Sequence, residues 1–505
     1  MTDSDRPDEI AAFRQASADN LFRVARLEKL AALKARGINA YPYRFDRDAF
    51  AADLEQRHAE LAAGETTEQP VRVAGRIRAI RNSGMFIDLV DVSGKIQVFG
   101  HKDYLGVEGV ELLKLLDLGD IIGVTGIVRR TPRGELTINA SAIEVLAKAL
   151  LPLPEKYHGL ADLETRYRQR YLDLIMNPES RDTLRKRSRI IATIRGFLTE
   201  RGFLEVETPM LHTISGGAAA RPFVTHHNAL DMDLYLRIAP ELHLKRLVVG
   251  GLADSVFEIN RNFRNEGISP RHNPEFTMLE LYQAFADYTD MMQLAEDLIG
   301  AAARSVLGTT DITYGGKAIA LGGPWPRRSM VELVKDATGV DFAAIGDAAA
   351  AREAAKRAGG KILGHENWGQ AVETVFGERV EHTLIQPTHV TDLPRDISPL
   401  AKAHRHDPRL TERFETYMNG IEIANAFSEL TDPQDQFDRF EAQVLARDKG
   451  DDEAHSMDID YVTALEYGLP PTGGMGIGID RLVMLLTDSP NIRDVIAFPT
   501  MRQHG

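Results

Sequence analysis

The spacing of apolar residues changes character along the chain. Between residues 9 and 36, Leu21, Phe22, Val24, Leu27, Leu30 and Leu33 fall near one face of a helix. Arg23, Arg26, Lys29 and Lys34 line its other sides and Gly37 supplies a stop, so one helix is expected over 9–36. Its basic side reads equally as the solvated face of a packing helix or as an RNA contact. From residue 71 to 146 the rhythm shortens to two. The runs VRVAGRIRAI, GMFIDLVDV, GKIQVFG, DIIGVTGIVRRT and GELTINASAIEVL are β-branched stretches separated by turn residues. A helix over 108–117 fits between the third and fourth. Five strands with a helix after the third is the order of an OB-fold, a small barrel that often takes oligonucleotides on one face. Phe86 could stack on a base there, although alternation alone favours an inward, core position for it.

The proline-bearing stretch LPLPEKYHG, residues 151–159, reads as a linker. It predicts one domain over 1–152 and a second over 153–505. The second mixes helices and strands, an α+β pattern. A long helix is expected at 180–201, and LEVETPML (204–211) reads as a strand ended by Pro209. DLYLRIA, SVFEINRNFR and FTMLELYQAFA read as further strands. Residues 345–380 look helical, as part of an insertion near 300–385.

Composition narrows the setting. A chain of 505 residues exceeds one hydrophobic core, so two or three domains are expected. There are no cysteines, which excludes disulfides, thiolate metal sites and a cysteine nucleophile. The acidic, polar start MTDSDRPDEIAAFRQ lacks the apolar centre of a signal peptide. No uninterrupted apolar run approaches the roughly 18 residues of a membrane span. A cytoplasmic protein with no membrane partner is therefore expected. Net charge is −14, yet residues 71–150 carry 11 Lys+Arg against 9 Asp+Glu. A polyanion would meet least repulsion there.

Three segments gather chemistry. On SVFEINRNFR, Arg264 shares a strand face with Glu258, Asn260 and Asn262. A cation at the end of a buried strand is costly unless it meets an anion, and a guanidinium fork suits phosphate. In FTMLELY, Phe276, Met278, Glu280 and Tyr282 alternate onto one face, where Phe276 could stack a base beside Glu280. A salt-bridged hairpin, with Arg264 held by Glu266 or Glu280, is an even alternative. In GGMGIGIDRLVMLL (473–486), glycines 474, 476 and 478 suggest close packing or contact with a ligand. Asp480 can cap the helix that follows, and Arg481 in its first turn calls for an anion or a ring face. Neither a Walker loop nor a Rossmann fingerprint is present. In GIEIANAFSEL, Glu422, Ala424 and Ala426 alternate with Ile421, Ile423, Asn425 and Phe427. Glu415 and Glu422 are hard oxygen ligands suited to Mg²⁺ shared with phosphates.

Together these segments resemble the class II aminoacyl-tRNA synthetases, and most closely the bacterial lysyl-tRNA synthetases. The long helix with LEVETPML is similar to class motif 1, FRNEGISPRHNPEFTMLELY to motif 2 and GGMGIGIDRLVML to motif 3. RIAPELHLKRLVVGG and NAFSEL match the lysine enzymes almost residue by residue, and the similarity spans about residues 20–500. The resemblance implies an OB-fold anticodon-binding domain followed by an antiparallel catalytic sheet flanked by helices. ATP is the implied substrate, with Mg²⁺, L-lysine, tRNA(Lys) and a homodimer. It gives catalytic roles to Arg264, Glu266 and Arg481. Arg264 would hold the α-phosphate, Phe276 and Arg481 would sandwich adenine, and Glu266, His272 and Asn273 would place the nucleotide. Glu415 and Glu422 would bind the metal, Glu415 also touching ATP. Glu280 and Glu429 would take the lysine ε-ammonium and Glu241 the α-amino group, with Gly217, Tyr282, Asn425 and Phe427 completing the pocket. Phe86, Gln97 and Glu135 would read the anticodon, Phe86 by stacking.

His243, Ala424 and Ala426 depart from the family pattern at positions where tighter or looser pocket packing could result. The hairpin over Arg78–Met85 looks short, which could weaken the anticodon grip. Aspartyl- and asparaginyl-tRNA synthetases share the barrel and the motifs, but a carboxylate substrate would demand cations where Glu280 and Glu429 stand. A non-aminoacylating paralogue is the other alternative. Truncated relatives of that kind lack the barrel, and a catalytically dead binder should have lost Arg264, Glu422 or Arg481.

Overall fold

The structure, a computed structural model, describes residues 6–154, 160–218, 220–447 and 456–502. Residues 155–159 of the expected linker lie outside the described residues. The chain forms two compact units, residues 1–159 and 160–505.

In the smaller unit the expected single helix is two, α1 (Arg6–Asp19) and α2 (Leu21–Ala35). Asn20 separates them in an extended conformation, its side chain accepting from the Arg23 amide at 3.0 Å. That is an N-cap, which starts a new helix instead of continuing the old one. Only part of the predicted apolar stripe is used: Leu30 and Leu33 are buried, whereas Leu21 and Phe22 are exposed. Arg26, which the pattern left to solvent or RNA, is buried. Its guanidinium donates to the carbonyls of Ala149, Leu151 and Leu118 at 2.8–3.0 Å.

Five strands close the barrel: β1 (Thr66–Arg81), β2 (Phe86–Val90), β3 (Lys95–Phe99), β4 (Ile121–Arg130) and β5 (Leu136–Ala147), in the order β1-β2-β3-β5-β4. The expected OB-fold is present. Alternating residues such as Ile87, Leu89, Val98, Val124 and Ile138 fill its interior. The helix between β3 and β4, α3 (Lys102–Leu113), begins six residues before the expected 108 because the His101 side chain caps it. Gly106, at φ 69°, kinks it. The β1–β2 hairpin turns through Asn82, Ser83 and Gly84, all at positive φ.

The larger unit is built on an eight-stranded sheet. Its strands are β6 (Leu204–Glu205), β7 (Ser255–Phe263), β8 (Glu275–Ala284), β9 (Arg327–Ser329), β10 (Thr388–Thr391), β11 (Arg413–Met418), β12 (Ile421–Ser428) and β13 (Thr472–Gly478). They run in the order β9-β10-β11-β12-β13-β8-β7-β6, antiparallel except for the pairs β9–β10 and β6–β7 at the two edges. LEVETPML is not one strand. Leu204–Glu205 joins this sheet, whereas Leu211–His212 pairs in a separate three-stranded sheet, with Pro209 between them.

Apolar residues of one sheet face, including Phe257, Leu279, Leu281, Ala424, Ala426, Met475 and Ile477, meet three helices. These are α4 (Pro178–Glu200), α6 (Tyr288–Leu307) and α8 (Ile479–Leu486). Near one end of the other face, α5 (Glu241–Val249) and α7 (Ile459–Glu466) contribute to a second apolar cluster. Helices within 330–379 build a further cluster of their own around Val334, Phe342, Ala354 and Val375. What remains open is the centre of that second face.

Candidate active site

Glycines make the opening. On β13, between β12 and β8, Gly474 and Gly476 line a cavity of about 480 Å³. A Cβ on Gly474 would lie 2.0 Å from Glu429 Oε1 and 2.6 Å from the Tyr282 ring. One on Gly476 would lie 2.9 Å from Met278. The strand must be bare there for side chains from β8 and β12 to converge.

At one end are three buried carboxylates. Glu241 comes from the first turn of α5, Glu280 from β8, and Glu429 from just beyond β12. Asn262 donates to Glu280 at 3.4 Å and the Tyr282 hydroxyl lies 3.5 Å from it. Burial, reinforced by the Glu241 charge, pushes Glu280 up to about 8. Burial likewise raises Tyr282 well above the ordinary phenol range. Gly217, at φ 89°, brings its backbone against Glu241, where a Cβ would stand 3.3 Å from the Glu241 Cβ. Asn425 and Phe427 also line this cavity, and Asn425 Oδ1 accepts from Arg413 Nε at 3.0 Å.

At the other end is Arg264. Its guanidinium stands 5.2 Å from the Phe276 ring centroid, and its buried Nε has no hydrogen-bond partner. Among the described residues it makes no ion pair, so the hairpin bridge to Glu266 or Glu280 does not form. Glu266 is exposed and lines the cavity. His272 Nε2 lies 3.1 Å from Arg481 Nη2, and its Nδ1 lies 2.8 Å from Ser269 Oγ. Burial and the Arg481 charge lower the imidazole. Asn273 donates to the Glu275 carbonyl at 2.6 Å and leaves its own Oδ1 without a partner.

Arg481 has the anion that its place in a first helical turn demanded. Nη1 donates to Glu422 Oε2 at 3.1 Å and to the Glu422 carbonyl at 2.9 Å. Asp480 does not cap α8, whose N-cap is Gly478. It is buried, accepting from Arg187 at 2.5 Å and from the Thr277 amide at 2.6 Å, and so ties α8 to α4 and β8. Glu415 accepts from Arg413 and from the Tyr417 hydroxyl, both at 2.7 Å. Burial raises Glu415 to about 7, against Arg413 and with help from the Glu422 charge.

Strict alternation set Glu422 opposite to Asn425 and Phe427, yet all three line the cavity. A bulge reconciles them. Tyr417 pairs with Glu422 and Thr416 with Ala424, so Ile423 has no cross-strand partner on β11 and the phase of β12 shifts by one. Ala424 and Ala426 are buried in the core on the far side of the sheet, and the His243 ring lies 4.5 Å from that of His212, tilted by 37°. None of these three lines the cavity, so the expected effect on pocket tightness has no direct route.

Sequence reasoning overlooked Arg413, Tyr417 and Lys245. Arg413 lies two residues before Glu415, a spacing that puts both on one strand face. Lys245 stands four residues after Glu241, one helical turn. Its Nζ lies 2.6 Å from Glu241 Oε1 and also contacts the Glu429 carboxylate.

On the barrel, Ile87 and Leu89 take the interior, and Phe86 faces outward, half-buried, 5.0 Å from the Phe99 ring. This overturns the core position that alternation favoured. Phe99 in turn stacks on His101 at 5.5 Å, with Arg129 4.5 Å over its ring. Gln97 accepts from Thr137 at 3.0 Å on the neighbouring strand. Glu135 is exposed and pairs with Lys95 at 3.1 Å.

A family model described as tRNA synthetases class II (D, K and N) matches residues 162–502. One described as OB-fold nucleic acid binding domain matches residues 71–146. A lysine–tRNA ligase of Carboxydothermus hydrogenoformans is 57% identical over 94% of this chain and 97% of its own length. Those of Sinorhizobium medicae and Pseudomonas aeruginosa are 55% and 54% identical, over 94% and 96% of the chain and 96% and 97% of their own lengths. With two domain matches in order and such identity over nearly the full length, the chain belongs to the lysine–tRNA ligases, within the class II tRNA synthetases.

Proposed function

We propose that the cavity of the larger unit activates L-lysine with ATP and passes the lysyl group to the 3′ end of tRNA(Lys). Ligase activity comes with the family, as do tRNA, an amino acid and ATP as substrates. The division of labour among residues is inferred from the cavity's charge layout. The observation that carries it is one cavity lined both by three buried carboxylates and by Arg264, whose buried Nε has no hydrogen-bond partner.

In the first step a lysine carboxylate oxygen attacks the α-phosphorus of ATP and pyrophosphate leaves, giving lysyl-adenylate. Arg264, whose guanidinium makes no ion pair among the described residues, takes the charge that builds on the α-phosphoryl oxygens. Phe276 and Arg481 hold the adenine ring between them, with Glu266, His272 and Asn273 at the nucleotide's edge. Base stacking on such groups contributes roughly 1–3 kcal/mol each. Glu280 and Glu429 receive the ε-ammonium and Glu241 the α-ammonium. In the second step the terminal ribose hydroxyl of tRNA attacks the acyl carbon, its proton is lost and AMP leaves. No side-chain nucleophile is needed, since alignment and charge stabilisation supply the acceleration.

Glu415 and Glu422 fit Mg²⁺. Both are hard oxygen donors on neighbouring strands, and the repulsion that helps raise Glu415 is relieved by a cation. Among the described residues no cluster of three or more His, Asp or Glu side chains is gathered for a metal, so phosphate oxygens would complete the coordination. Bound there, the ion would neutralise charge on the departing pyrophosphate.

A family that spans aspartate, lysine and asparagine enzymes leaves the amino acid to the pocket. Three carboxylates exclude an acidic side chain, and an apolar one would leave them unpaired, which rejects analogues by about 10⁴. A cysteine-free chain also suits a reducing cytoplasm. The motif 1 segment, with Leu204 and Leu211 exposed, suits a homodimer interface. Among the described residues no helix is long and apolar enough to cross a membrane.

The test is amino-acid-dependent ATP–pyrophosphate exchange with the twenty amino acids and no tRNA. Exchange with lysine alone is expected. Exchange with aspartate or asparagine would overturn the pocket reading.

A further inference from the structure

Lys245 is wholly buried, yet it contributes no wall to the cavity. It reaches Glu241 and Glu429 from behind, from the apolar cluster that α5 and α7 share. Its ammonium is 2.6 Å from Glu241, contacts Glu429, and lies 5.4–5.9 Å from the ring centroids of Phe427, Tyr282 and Tyr461. An isolated ammonium in such a place is prohibitively costly, and so is an isolated carboxylate. Each therefore requires the other. Lys245 forms an ion pair with Glu429 Oε2, and Glu429 Oε1 has no hydrogen-bond partner. Glu429 Oε1 is thus open to another donor.

Glu241 and Glu429 share this one buried cation, whereas the charges of Arg237 and Arg264 reach Glu280. Resting on the amino-acid pocket assigned above, we propose that Lys245 is a positioning residue of lysine recognition: from outside the cavity lining it fixes Glu241 and Glu429 in place, so that both carboxylates are presented to the ammonium groups of the substrate. Without Lys245, both lose that anchor.

The titratable groups facing Lys245 are Glu241 on its own helix, Glu280 and Tyr282 on β8, Glu429 beyond β12 and Tyr461 on α7. The Arg246–Asp458 pair adjoins Tyr461, at 2.8 Å between its members. Although burial opposes it, the Glu241 and Glu429 charges hold Lys245 well above the ordinary ammonium range. Burial likewise raises Glu429 well above the ordinary carboxylate range, against the Lys245 charge.

K245M, K245Q and K245R in the full chain test this through exchange kinetics against lysine, ATP and pH. K245M, or K245Q if the methionine variant does not fold, is expected to raise the lysine KM about thirtyfold or more and to leave the ATP KM within about threefold. The acid limb of the lysine kcat/KM profile should move up by about one pH unit, since Glu429 would keep its proton longer without the Lys245 charge. K245R keeps the charge and should restore the acid limb. A neutral variant with wild-type lysine KM and acid limb would overturn the proposal. So would a fall in kcat alone, shared by all three variants. E429Q separates the two levels of inference. If it leaves the lysine KM unchanged, the pocket assignment is wrong. If it raises the lysine KM while the Lys245 variants do not, only the role of Lys245 falls.

Discussion

Among the pocket acids, Glu280 is the one that Lys245 does not contact. Lys245 contacts Glu241 and Glu429, and Glu280 is left with Asn262 and Tyr282. Burial first, then the Glu241 charge, pushes it up to about 8 from an ordinary 4.5, against Arg237 and Arg264. At neutral pH it is a carboxylic acid, and it must release its proton to meet an ammonium. Lysine affinity should therefore weaken as pH falls below 8, by up to roughly tenfold per pH unit. The sign for the free enzyme is opposite. Between the ordinary value and about 8 the folded protein binds a proton that the unfolded chain has released. The stability contributed by Glu280 is thus full at low pH and is lost as pH rises through about 8. It follows that the lysine-induced rise in Tm should grow between about pH 6.5 and 8, and that E280Q should flatten it. Calorimetry with lysine and without ATP reads this directly, since Glu415, raised to about 7, would otherwise titrate with the nucleotide end of the site. A pH-independent increment in the wild type would show that Glu280 does not lose a proton on binding.

Whole elements matter through their phase. The β13 glycines were legible in sequence as a place of close approach, and the structure identifies the neighbours. Gly474 has no positive φ, so alanine is conformationally allowed and the only cost of G474A is the methyl driven into Glu429 and Tyr282. A lysine KM raised roughly 10–100-fold with the ATP KM unmoved is the expected result, in line with an overpacking cost of about 1–3 kcal/mol. Gly196 on α4 has nothing within 4 Å of an added Cβ, so G196A controls for the substitution itself. Equal loss in both variants would show that the Gly474 contact is not specific to the pocket. The alternation of β7 and β8 was read correctly because both strands are regular from end to end. That of β12 was not, because a bulge at Ile423 leaves no trace in a hydrophobic pattern: Ile421 and Ile423 look alike on either side of the slip. Asn20 broke a helix that periodicity had joined, for a capping bond invisible to a count of apolar residues. Lys245 was missed because a lysine in an amphipathic helix reads as exposed until its carboxylate partners from distant segments are brought beside it.

At the scale of the molecule the two units divide the chemistry. Every residue lining the cavity belongs to residues 160–505, and the outward aromatic cluster of Phe86, Phe99 and His101 belongs to the barrel. Amino-acid activation needs only the first, whereas transfer to tRNA draws on both. Phe86 separates them cleanly because it packs outside the barrel core, so its removal leaves that core intact and tests the proposed base contact. F86A should raise the KM for tRNA about ten- to a hundredfold, in keeping with roughly 1–3 kcal/mol for one lost stacking contact. Lysine-dependent pyrophosphate exchange in the absence of tRNA should stay within about twofold of wild type. The barrel segment 71–150 carries 11 basic against 9 acidic residues in a chain of net charge −14, so stacking and base-edge contacts must supply much of the affinity there. The F86A defect should accordingly persist at raised salt, where an electrostatic defect would merge with the general loss of binding. Exchange and charging falling together would mean that Phe86 supports the fold of the chain, and the outward face of the barrel would lose its claim to the anticodon.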